Sequence, residues 1–183
     1  FSDYAVTNET VGIPSEAVKT LAENDAVESV STTRLSVFMP GAGDILPFET
    51  DLSVQSHETL QLVNVDEAQL QIYAPNLSAQ DKQALKDGTG CLVKNPIAFS
   101  YGDTTVQQTD LTVGDTIQLG DRTLPVLGLI DTAITINNDG FTNGVQLIVN
   151  DEIYCSLLGN DSYSEVYPTL QDNADTDTFE SWL

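Results

Sequence analysis

The stretch "DEIYCSLLGNDSYSEV" at Asp151–Val166 decides how the chain is laid out, because it echoes "SEAVKTLAENDAVESV" at Ser15–Val30. At one constant offset Glu16 matches Glu152, Leu21 matches Leu157, Asn24-Asp25 match Asn160-Asp161, and Val30 matches Val166. Each copy reads as a helix, an Asn-Asp break and a strand. In the first, Ala17, Val18, Leu21 and Ala22 form one apolar face and Pro14 suits the entry to the helix. In the second, Asn150 is placed to cap the helix. A strand precedes each helix, over residues 2–7 in one case and "VQLIV" in the other. Two β-α-β halves at opposite ends of a chain pair naturally into one α+β layer. The expected division is therefore a subdomain of residues 1–40 with 145–183, and an inserted, mostly β subdomain over 41–144.

Working inward, "VESVSTTRLSVFM" is rich in β-branched residues and reads as a long strand that Pro40 ends. Residues 59–65 read as a second strand. "SAQDKQALKDGTG" carries a capping box, Ser78 with Asp81, and stops at Gly88. "CLVK" follows as a buried strand. "DTIQLGDRTLPVLGLI" alternates across Gly120-Asp121, a hairpin signal. "NNDGFTNG" reads as a loop. In the terminal "DNADTDTFESWL", Phe179, Trp182 and Leu183 share one helix face behind acids that suit its first turn.

The 183 residues suffice for one large domain or two small ones, and 40% hydrophobic content marks a globular chain. Twenty-eight acidic residues against six basic ones give a formal charge of −22. The acids are spread along the chain, so they describe a solvated surface rather than a tail. Such a field repels nucleic acid phosphates and anionic lipid headgroups. Nothing approaches the length of apolar run that spans a membrane. The chain opens on Phe1 without a basic leader and stops as its last helix turns apolar, which is expected of a piece of something longer.

Candidate chemistry is sparse. "IDTA" at Ile130–Ala133 has an aspartic-protease flavour, but that chemistry needs two carboxylates on matching loops, and "DGTG" at Asp87–Gly90 does not supply the second. His57, the only histidine, adjoins Ser56 with Asp51 nearby, yet a triad is assembled by the fold and not by sequence neighbours. "DNADTDTFE" and "NNDGFTNG" offer oxygens without the spacing or central glycine of a calcium loop. No phosphate loop, dinucleotide fingerprint or Cys/His cluster appears. Cys91 and Cys155 read as two buried thiols, with a disulfide between them as the alternative in an oxidising compartment. No catalytic residue, metal ligand or cofactor is expected, and the chain is not expected to be an enzyme.

Three stretches together resemble a known family. "IPSEAVKTLAENDAVESVSTTRL", "LTVGDTIQLGDRTLPVLGLID" and "GVQLIVNDEIYCSLLGNDSYSEVYPTL" are similar, in that order, to the extracytoplasmic MacB-like periplasmic core domain of FtsX-like ABC transporter permeases. The loop "PGAGDILPFETDLSVQSHETL" and the strong acidity depart from the family pattern. The resemblance implies an α+β fold: a porter-like part of two β-α-β halves from the chain ends, with a mostly β part inserted. It implies a non-catalytic domain that couples cytoplasmic ATP hydrolysis to export, lipoprotein or peptide handling, or signalling at the outer face. The implied partners are the transmembrane helices of its own permease, a cytoplasmic ATPase subunit, and a second permease copy or an accessory surface protein. The implied location is the outer face of a cell membrane, of a Gram-positive cell in particular. A secreted or surface-anchored binding module is the rival reading, and a hydrolase on an unrecognised carboxylate pair is a second.

Overall fold

In the computed structural model, residues 2–8, 10–136 and 144–183 are described, so most of the loop "NNDGFTNG" lies outside them. The elements in chain order are β1 (Val6–Thr7), α1 (Ser15–Ala22), β2 (Val27–Phe38), β3 (Thr59–Val65), α2 (Glu67–Tyr73), α3 (Ala79–Lys86), β4 (Cys91–Lys94), β5 (Ser100–Tyr101), β6 (Thr104–Thr105), β7 (Thr116–Leu119), β8 (Arg122–Leu129), β9 (Gly144–Ile148), α4 (Asp151–Leu158), β10 (Glu165–Leu170) and α5 (Thr176–Trp182). This is the α+β class expected. The chain divides into two compact units, residues 1–34 with 161–183, and residues 35–160. β9 and α4 lie within the second of these units.

The first unit has strand order β1-β10-β2. β10 lies antiparallel to β2, from Glu165 opposite Thr33 to Leu170 opposite Val27. Ile13, Leu21, Val27, Val166, Leu170 and Phe179 form its core. β1 is only two residues long where the pattern suggests six. Pro168 has no N–H, and its carbonyl is shared by the N–H groups of Asp3 and Tyr4 at 3.3 and 3.4 Å, so the ladder does not extend.

In the second unit the order is β3-β9-β4-β8-β7. β3 and β9 run parallel, with Thr59 opposite Gly144 and Val63 opposite Ile148, and β4 joins β9 antiparallel. The period of two sorts the core into two faces. Leu60, Leu62, Cys91, Val93, Val145 and Leu147 meet Ile153 and Tyr154 of α4. Val63, Leu92 and Ile148 point the other way and meet Leu70 of α2, Leu85 of α3, Ile130 and Ile134. The hairpin forms as expected, with Leu119 opposite Arg122 and Gly120 supplying the positive φ of its two-residue turn. The outer edge of β7 is covered: Thr50 bridges to Leu119, and Asp51 Oδ1 accepts from Gln118 N at 2.7 Å.

A buried polar network locks the parallel pair. Gln146 Nε2 donates to Gln61 Oε1 and to the Ile134 carbonyl, both at 2.7 Å, while Gln146 Oε1 accepts from Ile134 N at 2.8 Å. Gln61 Nε2 in turn donates to Thr59 Oγ1 at 2.9 Å. Gly144 is required beside them, because a Cβ there would lie 1.9 Å from Thr59 Oγ1. Leucine at position 146 would strand three polar groups in a dry interior. Gln146→Leu is therefore expected to destabilise the chain by about 2–3 kcal/mol in denaturant unfolding, whereas an effect under about 0.5 kcal/mol, the size of an ordinary surface change, would show the network to be dispensable.

Candidate functional site

The strongest concave feature arises directly from the parallel pair. β3 runs on through Asp66 into α2, and β9 runs on through Asn150 into α4. Asp66 Oδ1 caps α2 by accepting from Gln69 N at 3.0 Å, and Asn150 Oδ1 caps α4 by accepting from Ile153 N at 2.9 Å. The two helices pack on opposite faces of the sheet. Neighbouring parallel strands whose helices leave on opposite faces open a crevice at their carboxyl ends. Here α3 closes one side, and the resulting cleft of about 580 Å³ has a floor of Val65, Leu70, Leu85 and Val149. Lys82 and Lys86 of α3 line it, facing the acids Glu67 and Asp151 of the first turns of α2 and α4. α3 starts on the N-cap half of the expected capping box: Ser78 Oγ accepts from Asp81 N at 3.1 Å, while Asp81 Oδ2 accepts from the Ser78 hydroxyl at 2.6 Å and not from its backbone N–H.

The residues singled out from the sequence are not brought together into a reactive centre. Asp131 of "IDTA" sits exposed just beyond β8, whose exit is held by Ile130 N donating to the Val93 carbonyl at 2.9 Å. It lines a second, smaller cleft of about 410 Å³ together with Asp81, Tyr73 and Leu129. Its charge is felt by Lys94, a buried lysine whose Nζ donates to the Asn95 carbonyl. Burial pushes the Lys94 pKa down, and Asp131 opposes that shift. "DGTG" ends α3, where Gly88 takes a positive φ, and it makes no partner for Asp131.

His57 and Asp51 go to different places. Asp51 holds the edge of β7, while His57 Nε2 lies 3.9 Å from Oε1 of Glu58 and its ring meets Phe99 edge-on at 6.0 Å. Glu58 is the buried acid of this region, and the sequence reading missed it. Its carboxylate accepts from Thr109 N at 2.7 Å and Thr109 Oγ1 at 2.6 Å, tying the segment before β3 to the one before β7. Ser56 also packs tightly, since a Cβ on Gly41 would fall 2.0 Å from the Ser56 carbonyl oxygen. These contacts give the unassigned loop after Pro40 a structural role. In "DNADTDTFE", Asp175 caps α5 by accepting from Thr178 Oγ1 at 2.8 Å and Thr178 N at 3.2 Å, and those bonds hold its carboxyl below the ordinary aspartate range. Among the described residues no three acid, histidine or cysteine side chains gather as a metal site.

Cys91 and Cys155 are held as thiols in the structure. Both belong to the core face that α4 covers, Cys91 fully buried and Cys155 half-buried at its margin.

No known family profile matches the chain, and no curated protein does. Solved structures do. The extracellular domain of the noncanonic ABC-type transporter YknZ from Gram-positive bacteria aligns over 97% of this chain and 85% of its own, with a TM-score of 0.53 at 11% identity. The periplasmic region of MacB from Actinobacillus actinomycetemcomitans aligns over 95% and 72%, with a TM-score of 0.50 at 12% identity. The chain thus shares the fold of these extracytoplasmic permease domains. Among the described residues no helix is long and apolar enough to cross a membrane.

Burial pushes the Cys91 thiol up to about 12, which leaves almost no thiolate near neutrality. In the folded chain at pH 8, Cys91 is expected to resist an aromatic disulfide reagent and to react stoichiometrically once guanidinium unfolds the protein. Peptide mapping that found Cys91 labelled within seconds in the native state would contradict this burial.

Proposed function

We propose that the chain is the non-catalytic extracytoplasmic domain of an ABC transporter permease of the FtsX-like type, at the outer face of a cell membrane. The observation that carries the reading is the shared fold over 97% of the chain. A second one supports it. A domain inserted between two membrane helices needs its ends side by side, and here Tyr4 and Phe179 are in ring contact at 5.4 Å, with Tyr4 Oη donating to Glu180 Oε1 at 3.0 Å. In this role the first unit is the porter-like base and the second unit the inserted part. The permease's own transmembrane helices would anchor the base, a cytoplasmic ATPase subunit would hydrolyse ATP, and a second permease copy or an accessory surface protein would meet the domain outside. The work done is export, lipoprotein or peptide handling, or signalling. The acidic surface suits an outer-face location and disfavours nucleic acid and anionic headgroups. Cys91 and Cys155 take part as packing groups, with a disulfide between them reserved for an oxidising compartment.

Reading the parent gene outward tests the proposal. It predicts an apolar stretch of about 20 residues shortly before Phe1 and further ones after Leu183. A cleavable leader on one side and a stop or wall anchor on the other would overturn it in favour of a secreted or surface-anchored binding module.

A further inference from the structure

We propose that the cleft at the carboxyl ends of β3 and β9 binds a small zwitterion with an aliphatic body, a free amino acid or the end of a short peptide. The proposal rests on the cleft alone and stands whether or not membrane helices flank the domain. Its volume of about 580 Å³ lies within the range of small-ligand sites, and its apolar floor faces a rim of both charge signs.

The charges on that rim are not equivalent. Asp66 is committed to capping α2, and Glu152 pairs with Arg122 Nη2 at 2.6 Å. Lys82 and Lys86, by contrast, are two of the chain's six basic residues, and among the described residues neither is paired with an acid, although acids outnumber bases here by 28 to 6. Lys82 Nζ is 3.3 Å from the neutral Gln71 Oε1. Four residues apart on α3, the two ammonium groups stand on one helix face. The end of α3 is fixed in place because Asn150 Nδ2 donates to the Lys86 carbonyl at 3.0 Å. The capping residue of α4 and the cationic end of α3 are therefore directly hydrogen-bonded to each other.

Electrostatics then selects the ligand. A field of −22 charges repels a simple anion before it reaches the lysines, and holds a simple cation anywhere on the surface. A net-neutral zwitterion escapes the long-range repulsion. Its carboxylate meets Lys82 and Lys86, its ammonium meets Glu67, and its aliphatic body covers Leu70, Leu85 and Val149.

The test is an amide-resolved NMR titration of the 183-residue chain with L-leucine, L-leucyl-L-leucine, L-leucinamide and N-acetyl-L-leucine. The expected result is a saturable shift of amides in residues 66–70, 79–86 and 150–152. Affinity should drop at least about tenfold when either charge is removed from the ligand, and by a similar factor in Lys86→Met. Lys86 is exposed, so that variant keeps the fold. Tighter binding of the dipeptide identifies a peptide end as the source, and tighter binding of leucine identifies a free amino acid. No saturable shift with either one, or unchanged affinity in Lys86→Met, overturns the proposal.

Discussion

One buried guanidinium ties together the two places where the chain passes between its units. Arg34 is the last residue before the chain leaves the first unit, and Asp161 is the first after it returns. Arg34 Nη2 and Nε donate to the Asp161 carbonyl at 2.9 and 3.3 Å, and its carbon Cζ lies 3.8 Å from the centre of the Tyr163 ring. Taking a guanidinium out of water is unfavourable unless hydrogen bonds and a cation–π contact offset it, and both are present. Beside it Ser164 N donates to the Thr33 carbonyl at 2.9 Å, which starts the β2–β10 ladder. The β-sheet of the first unit follows from that start: register, the facing of Val27, Val166 and Leu170 into one core, and the meeting of the two chain ends.

With its exits tied, the segment 35–160 has two core faces of its own. They are kept in register by the parallel pairing of β3 and β9, whose strand alternation leaves Gln61 and Gln146 in a dry interior. Those amides satisfy each other and the Ile134 backbone. Parallel neighbours feeding helices to opposite faces create the cleft, so the site is a consequence of topology and not of any loop. Away from the cleft, the buried carboxylate of Glu58 is consumed in holding loops together.

Much of this was legible in the sequence because it is local. Helix caps at Ser78 and Asn150, the Gly120 turn and the β-branched run of β2 are short-range signals, and each stands where expected. The echo between residues 15–30 and 151–166 correctly marks helix, break and strand twice. It does not reveal that α1 packs in the end-built unit while α4 covers β3 and β9. The pairing of Thr59 with Gly144 joins residues far apart in sequence, and the local pattern of neither strand names its partner. α2 escaped because seven residues with one buried leucine, Leu70, carry little periodicity, although Asp66 three residues before Gln69 was a usable cap signal. The cleft escaped for a related reason: Lys82 and Lys86 become unusual only when the structure shows that no acid among the described residues pairs with them.

Native-state amide hydrogen exchange on wild type and Arg34→Met tests the central claim most directly. If one cation holds the end-built unit together, the variant loses protection jointly in residues 27–33 and 165–170, while β3, β4 and β9 keep theirs. Protection retained in both segments, or lost equally from β3, β4 and β9, would contradict the account.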